Sequence, residues 1–176
     1  YQSLGCRLTD DEDKIDTAID LHYQRNYRKK YQLPLQKSVS YDFSEILLGN
    51  QWHRREWDAL HKKYFRWTGP GNESSIDFWL EPHDYKIKVQ VIDSIDKAVL
   101  DNLTVLINDQ SVEISTQDKG KKRLYRFACP KSLVLKTGLL RLKFKCEQVN
   151  QHKVIFGADD SRLVGVAIES ISISRT

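Results

Sequence analysis

From Val39 onward the chain returns again and again to one pattern: apolar and polar residues alternate over short runs, each ended by a turn signal. Alternation with period two places successive side chains on opposite faces of an extended strand, so one face can be buried and the other solvated. Residues 75–80 alternate in this way, and residues 85–91 (Tyr-Lys-Ile-Lys-Val-Gln-Val) do so without a break. Residues 103–107 read as a strand, Asn108-Asp109 as its turn, and residues 112–115 as a strand that pairs back in a hairpin. Further strands are expected over 122–129, with Leu124, Tyr125 and Phe127 as its apolar weight, and over 139–145. The last run is 163–168, continuing into Ile171-Ser172-Ile173. At least seven short strands without long helical stretches between them exclude a parallel α/β sheet. They predict an all-β fold, an antiparallel β-sandwich of jelly-roll or immunoglobulin-like type. Only residues 52–64, a mixture of charges and aromatics, break the pattern, and a short helix or irregular loop is expected there.

The beginning of the chain obeys a different period. Thr9 can cap a helix whose first turn holds Asp10, Asp11, Glu12 and Asp13, where the helix dipole favours negative charge. Ile15, Ala18, Ile19, Tyr23 and Tyr27 follow at helical spacing, Arg25, Arg28, Lys29 and Lys30 occupy the far end, and Pro34 closes the segment. An N-terminal α-helix over 10–31 results, with residues 1–38 as a lead-in or linker and 39–176 as the sandwich domain. Its apolar stripe is narrow and needs a cover: the sandwich, a second copy in a homodimer, or a domain upstream. A start at Tyr1 and the absence of any Met suggest a piece of a larger parent protein.

The length of 176 residues suits one domain with a substantial core, and 40 % hydrophobic with 30 % charged residues is ordinary for a globular chain. A net charge of +4, with each basic cluster near acidic neighbours, argues against a nucleic-acid partner. No run approaches the roughly 20 apolar residues that span a bilayer, and no signal peptide opens the chain. Cys6, Cys129 and Cys146 are odd in number and dispersed; they read as buried thiols of a reducing cytoplasm, although a Cys129–Cys146 bridge across paired strands is an alternative. Nucleophile-elbow, phosphate-loop and zinc-protease signatures are absent, so no catalytic residue, cofactor or metal site is expected.

The one dense constellation is Gln51-Trp52-His53-Arg54-Arg55-Glu56-Trp57, followed by Phe65-Arg66-Trp67-Thr68-Gly69-Pro70-Gly71. Sugar recognition needs such a mixture: aromatic faces pack on the C–H face of a pyranose, while carboxylate, guanidinium and imidazole groups bond its hydroxyls. Trp52 and Trp57 are candidate stacking surfaces, with His53, Glu56 and Arg66 as polar partners. The competing expectations are that the tryptophans plug the core, as Trp67 and Trp79 are expected to do, and that Glu56 and Arg66 form a buried ion pair. For an acidic sugar, Arg54, Arg55 and Arg66 are the natural partners, because arginine grips a carboxylate bidentately. His22, His83 and His152 read as isolated surface residues. Glu56 with Asp58 or Asp77 could form a glycosidase pair, but surface carboxylates are the plainer explanation.

The order Gly49-Asn50-Gln51-Trp52-His53-Arg54-Arg55-Glu56, then Arg66-Trp67-Thr68-Gly69-Pro70, is similar to a pattern found in certain β-sandwich domains. These accompany bacterial cell-surface polysaccharide glycosyltransferases and, in a related context, form the carbohydrate-binding C-terminal domain of O-antigen ABC exporters. The run Asp160-Ser161-Arg162-Leu163-Val164-Gly165-Val166-Ala167-Ile168, with Ile171-Ser172-Ile173, resembles their closing strand pair. The resemblance covers roughly 41–174. It implies a non-catalytic, cytoplasmic module that holds a bacterial polysaccharide, at the inner face of the membrane through its parent protein. It adds Arg162, beside Asp159 and Asp160, to the candidate site; the two aspartates could also supply oxygens to a structural calcium. The alternative is a structural or oligomerisation domain with no ligand, its interface the helix from Thr9 to Tyr31.

Overall fold

The structure is a computed structural model that describes residues 34–153, 157 and 159–176. The helix expected over 10–31 lies outside the described residues. Two antiparallel sheets stack face to face. The larger holds β1 (Val39–Asp42), β3 (Trp52–Asp58), β4 (Lys63–Thr68), β6 (Tyr85–Ser94), β9 (Ile114–Lys119), β10 (Lys122–Cys129) and β14 (Val166–Arg175), in the order β3-β4-β14-β6-β10-β9, with β1 also on β14. The smaller holds β2 (Gly49–Asn50), β5 (Glu73–Trp79), β7 (Thr104–Ile107), β8 (Gln110–Ser111) and β11 (Leu139–Lys145), in the order β2-β5-β11-β7-β8. A separate short ladder joins β12 (Asn150–Gln151) to β13 (Leu163–Val164). The antiparallel sandwich expected from the alternation is therefore the fold.

Alternation becomes burial directly. In β6, Tyr85, Ile87, Val89 and Val91 are buried, while Lys86 and Lys88 between them are exposed. Across the interface the small sheet contributes Ile76, Phe78, Leu140, Leu142 and Phe144, and β14 adds Ile171 and Ile173. Burying one such side chain is worth about 1.5–3 kcal/mol, so this double layer of apolar residues is the main stabilising element. The β14 strand sits in the middle of the large sheet. It pairs with β6 along its whole length on one side, and with β4 and then β1 on the other.

Two local expectations are corrected. Residues 52–64 form neither helix nor loop but the hairpin of β3 and β4. Its tip is an Asx turn: Asp58 accepts from the backbone amides of Leu60 and His61, and Lys62 adopts φ 53°. Asn108 and Asp109 do make the expected two-residue turn, both with positive φ, as a type I′ hairpin requires. However, only Gln110–Ser111 pairs back onto β7; from Ile114 the chain crosses to the large sheet and pairs with β10. A short helix, α1 (Lys97–Asp101), capped by Asp96 on the Val99 amide, also interrupts the strands. Cys129 and Cys146 are free, buried thiols, as expected, and the alternative bridge is not formed. No helix among the described residues is long and apolar enough to cross a membrane.

Candidate functional site

The residues singled out in the sequence divide between two places. Those of the tryptophan-rich segment and those of the Asp160–Gly165 segment meet, although about a hundred positions separate them. Glu56 Oε1 lies 2.9 Å from an Arg162 guanidinium nitrogen, and Arg162 grips Asp160 through Nε and a terminal nitrogen at 2.6–3.0 Å. The His53 ring Nε2 is 2.7 Å from the Leu163 carbonyl oxygen, and Arg66 donates to the His53 carbonyl at 3.2 Å. Thr68 accepts from the Val166 amide at 2.9 Å. Gly165 sits where a Cβ would lie 2.6 Å from Cys146 Sγ and 2.8 Å from Thr68 Oγ1, so nothing larger fits.

This junction fastens the β3–β4 hairpin to the strand pair that closes the domain. Arg162 carries the electrostatics. Burial opposes its charge, yet Asp160 and Glu56 outweigh burial and hold its pKa above the ordinary value. The bond from Arg162 in turn brings Asp160 down to about 2. With both Asp160 oxygens engaged by Arg162, the aspartate is a poor calcium ligand. Among the described residues no group of three or more His, Cys, Asp and Glu is placed to hold a metal.

Trp52 belongs to the core. It is 7 % exposed, donates from Nε1 to the Ser75 carbonyl at 2.8 Å, and is packed by Phe43 and Phe144. No face is left for a sugar ring, so its role as a stacking surface is replaced by a structural one. His53 and Arg66 are buried as well, at 6 % and 5 %. The expected Glu56–Arg66 pair is replaced by Glu56–Arg162: the register sets Arg66 opposite Arg55 and Glu56 opposite Phe65, on the other face. Trp57 is the exposed tryptophan, 52 % accessible, its ring 4.8 Å from that of Tyr64 on the hairpin. Trp67 is buried, as expected, and Trp79 is half-buried.

The second place is a groove of about 760 Å³ on the solvent face of the large sheet. Phe65 and Trp67 from β4, with Gln90 and Ile92 from β6, line it. Glu56, Asp58 and His61 come from the β3–β4 hairpin, while Lys119, Lys121 and Lys122 come from the turn between β9 and β10. Glu169 lies between them, only 4 % exposed, with the Lys63 and Lys122 amines each 3.2 Å from one of its oxygens. A short bond from His61 Nδ1 holds the Asp58 carboxyl below its usual range. His152 is not an isolated surface residue: its ring meets Trp67 edge to face at 5.4 Å, and it lies 3.5 Å from Asp160. Of the expected site residues, only Glu56 lines this groove; Trp52, His53, Trp57, Arg66 and Arg162 do not.

Sequence reading missed Phe65, Gln90, Lys122 and Glu169. The available signal was the outward half of each alternating strand: Gln90 and Ile92 in β6, and Lys122 in β10, are the residues left over when the buried set is removed. Glu169 gave no such signal, because β14 carries a bulge there that displaces the period.

No protein-family model matches the chain, and no curated protein matches it. In structure the chain is similar to a solved family 35 carbohydrate binding module from Clostridium thermocellum. The match has 10 % sequence identity and a TM-score of 0.49, and covers 80 % of this chain and 100 % of that one.

Proposed function

We propose that this chain is a non-catalytic carbohydrate-binding module whose ligand lies in the groove on the solvent face of the large sheet. The observation that carries the reading is the make-up of that groove: Phe65 and Ile92 offer apolar surface, while Gln90, Glu169, Asp58 and the lysines surround it with donors and acceptors. Apolar surface under a ring of oriented polar groups is what a sugar, with its C–H face and rim of hydroxyls, requires. Glu56 and Arg162, expected to touch the glycan, act from the edge by fixing the hairpin that carries Phe65. Bacterial surface polysaccharides are the ligands to try first, because the two segments that resemble polysaccharide-assembly domains are the ones that build this end of the sheet. Trp57 supplies a second, separate aromatic surface.

A ligand-free structural module is the competing reading. It is favoured by the burial of Trp52, His53 and Arg66, which makes most of the recognisable motif a scaffold. Calorimetric titration of the folded chain with a panel of bacterial polysaccharides separates the two. The groove reading requires binding that is lost in Phe65→Ala and kept in Trp57→Ala, both with unchanged circular dichroism. Binding lost only in Trp57→Ala would move the site to the hairpin, and no binding to any glycan would leave the structural reading.

A further inference from the structure

The solvent face of the large sheet continues beyond the groove, and the ladder register fixes which residues occupy it. Ser170 lies opposite Gln90, which lies opposite Leu124. Ser172 lies opposite Lys88, which lies opposite Arg126. Ser174 lies opposite Lys86, which lies opposite Ala128. Ser40 of β1 extends the middle row, opposite Ser172. The intervening residues Ile87, Val89, Ile171 and Ile173 point inward and are buried, so this set is the outward one.

The strip that results is low, hydroxylated and cationic. Lys86 and Lys88 are exposed, and Arg126 reaches Gln117 on β9 at 2.7 Å. Carboxylates flank the strip rather than occupy it. Asp42 lies at the β1 edge opposite Ser170, Glu113 immediately precedes β9, and Asp84 precedes β6 and accepts from the Lys131 amide. Glu169 in the groove is already neutralised by Lys63 and Lys122. Strands are roughly 4.8 Å apart and rise roughly 3.4 Å per residue, so Lys86, Lys88 and Arg126 stand within one or two such steps of each other. From Ala128 back to Lys122 the same face runs roughly 20 Å along β10. Serine side chains are too short to block a chain lying across them, and each offers a donor and two acceptors.

Resting on the carbohydrate-binding reading above, we propose that the ligand is an acidic polysaccharide. One part of it occupies the groove, and the chain continues along β6 and β10 over Lys88, Arg126 and Lys86. Cations at regular spacing beside hydroxyl groups match a polymer that repeats both hydroxyls and carboxylates. A neutral glycan would leave the basic strip without a partner. A nucleic acid would prefer aromatic rings along the track on which bases can stack, and the strip has none.

The test titrates the full chain with polygalacturonate, hyaluronate and alginate, and with two uncharged polymers, fully methyl-esterified polygalacturonate and dextran. The expected result is binding of at least one acidic polymer, weakened by raising salt from 50 to 200 mM. It should weaken about tenfold in the Lys88→Glu, Arg126→Glu double variant, each exposed ion pair being worth up to about fivefold. Circular dichroism of the variant should be unchanged, since both side chains point to solvent. Uncharged polymers bound as tightly as acidic ones, with no effect of the double substitution, would overturn the acidic ligand and leave the groove reading in place. Binding of no polysaccharide at all would overturn both. An oligothymidylate bound as tightly as the acidic glycans would show a general polyanion surface and overturn selectivity for sugars.

Discussion

Replacing Trp52 by alanine should cost stability, and replacing Trp57 should not, although the two lie five positions apart in one strand. At 7 % exposure Trp52 removes nearly its whole indole from water; a buried aromatic of this size covers about 150–250 Å², worth about 4–6 kcal/mol at 25 cal/mol per Å². Truncation also leaves the Ser75 carbonyl without its indole donor and opens space beside Phe43 and Phe144. Measured costs of core aromatic-to-alanine changes, about 3–5 kcal/mol, agree with that range, so about 4 kcal/mol is expected. Trp57 is half in solvent and loses mainly its contact with Tyr64, about 1 kcal/mol. Urea unfolding followed by far-UV circular dichroism reads the difference. With a slope of about 2 kcal/mol per molar, the midpoint should fall by about 2 M for Trp52→Ala and by about 0.5 M for Trp57→Ala, with the slope unchanged. Midpoints that move equally, or a Trp52→Ala shift below about 0.5 M, would refute the burial argument and return Trp52 to the list of stacking surfaces.

Three further outcomes follow from the closing junction and the thiols. Gly165→Ala forces a methyl against Cys146 and Thr68 and should cost about 1–3 kcal/mol, seen as a melting temperature lower by roughly 2–12 °C. Asp160 titrates at about 2 in the folded chain, below its ordinary 3.8, so the unfolded chain takes up its proton first as the pH drops. Its stabilisation, on the order of 1–2 kcal/mol after solvent screening, is therefore complete above pH 3.8 and lost as pH falls through 2. The stability gap between the wild type and Asp160→Asn should close over that window, and a gap constant from pH 6 to pH 2.5 would contradict it. Burial pushes the Cys129 thiol up to about 11 and raises that of Cys146, so in a Cys6→Ser background iodoacetamide at pH 8 should label neither until urea unfolds the chain.

The alternating strands were legible because each buries one face, and residues 85–91 could be assigned without help from any other part of the chain. The β3–β4 hairpin was not. Trp52 and His53 are both buried, and beyond a bulge the inward face passes to Arg55 and Trp57, which lie partly in solvent, so no period survives. The partner of β9 was hidden for another reason: a type I′ turn shows that the chain reverses, not how far the pairing runs afterwards. The tryptophan-rich segment stands out in the sequence as a dense local feature, yet density does not distinguish a ligand platform from a fastening between two chain segments. That distinction depended on Arg162 and Leu163, which no local pattern connects to Glu56 and His53. The basic strip has no signature in the sequence, because Lys86, Lys88 and Arg126 are brought together only by the register of β6 with β10.

The place of β14 in the large sheet bears on how the chain reaches its fold. Until residues 166–175 have left the ribosome, β6 has no neighbour on one side, and β4 and β1 have no bridge to it. The sheet can therefore close only after its other strands have been made, through contacts between residues far apart in sequence. Such closure is slow, and it leaves an unpaired β6 edge exposed in the meantime. The lysines that alternate along β6 give that waiting edge a charged outer face, a defence against joining the wrong strand before the right one arrives.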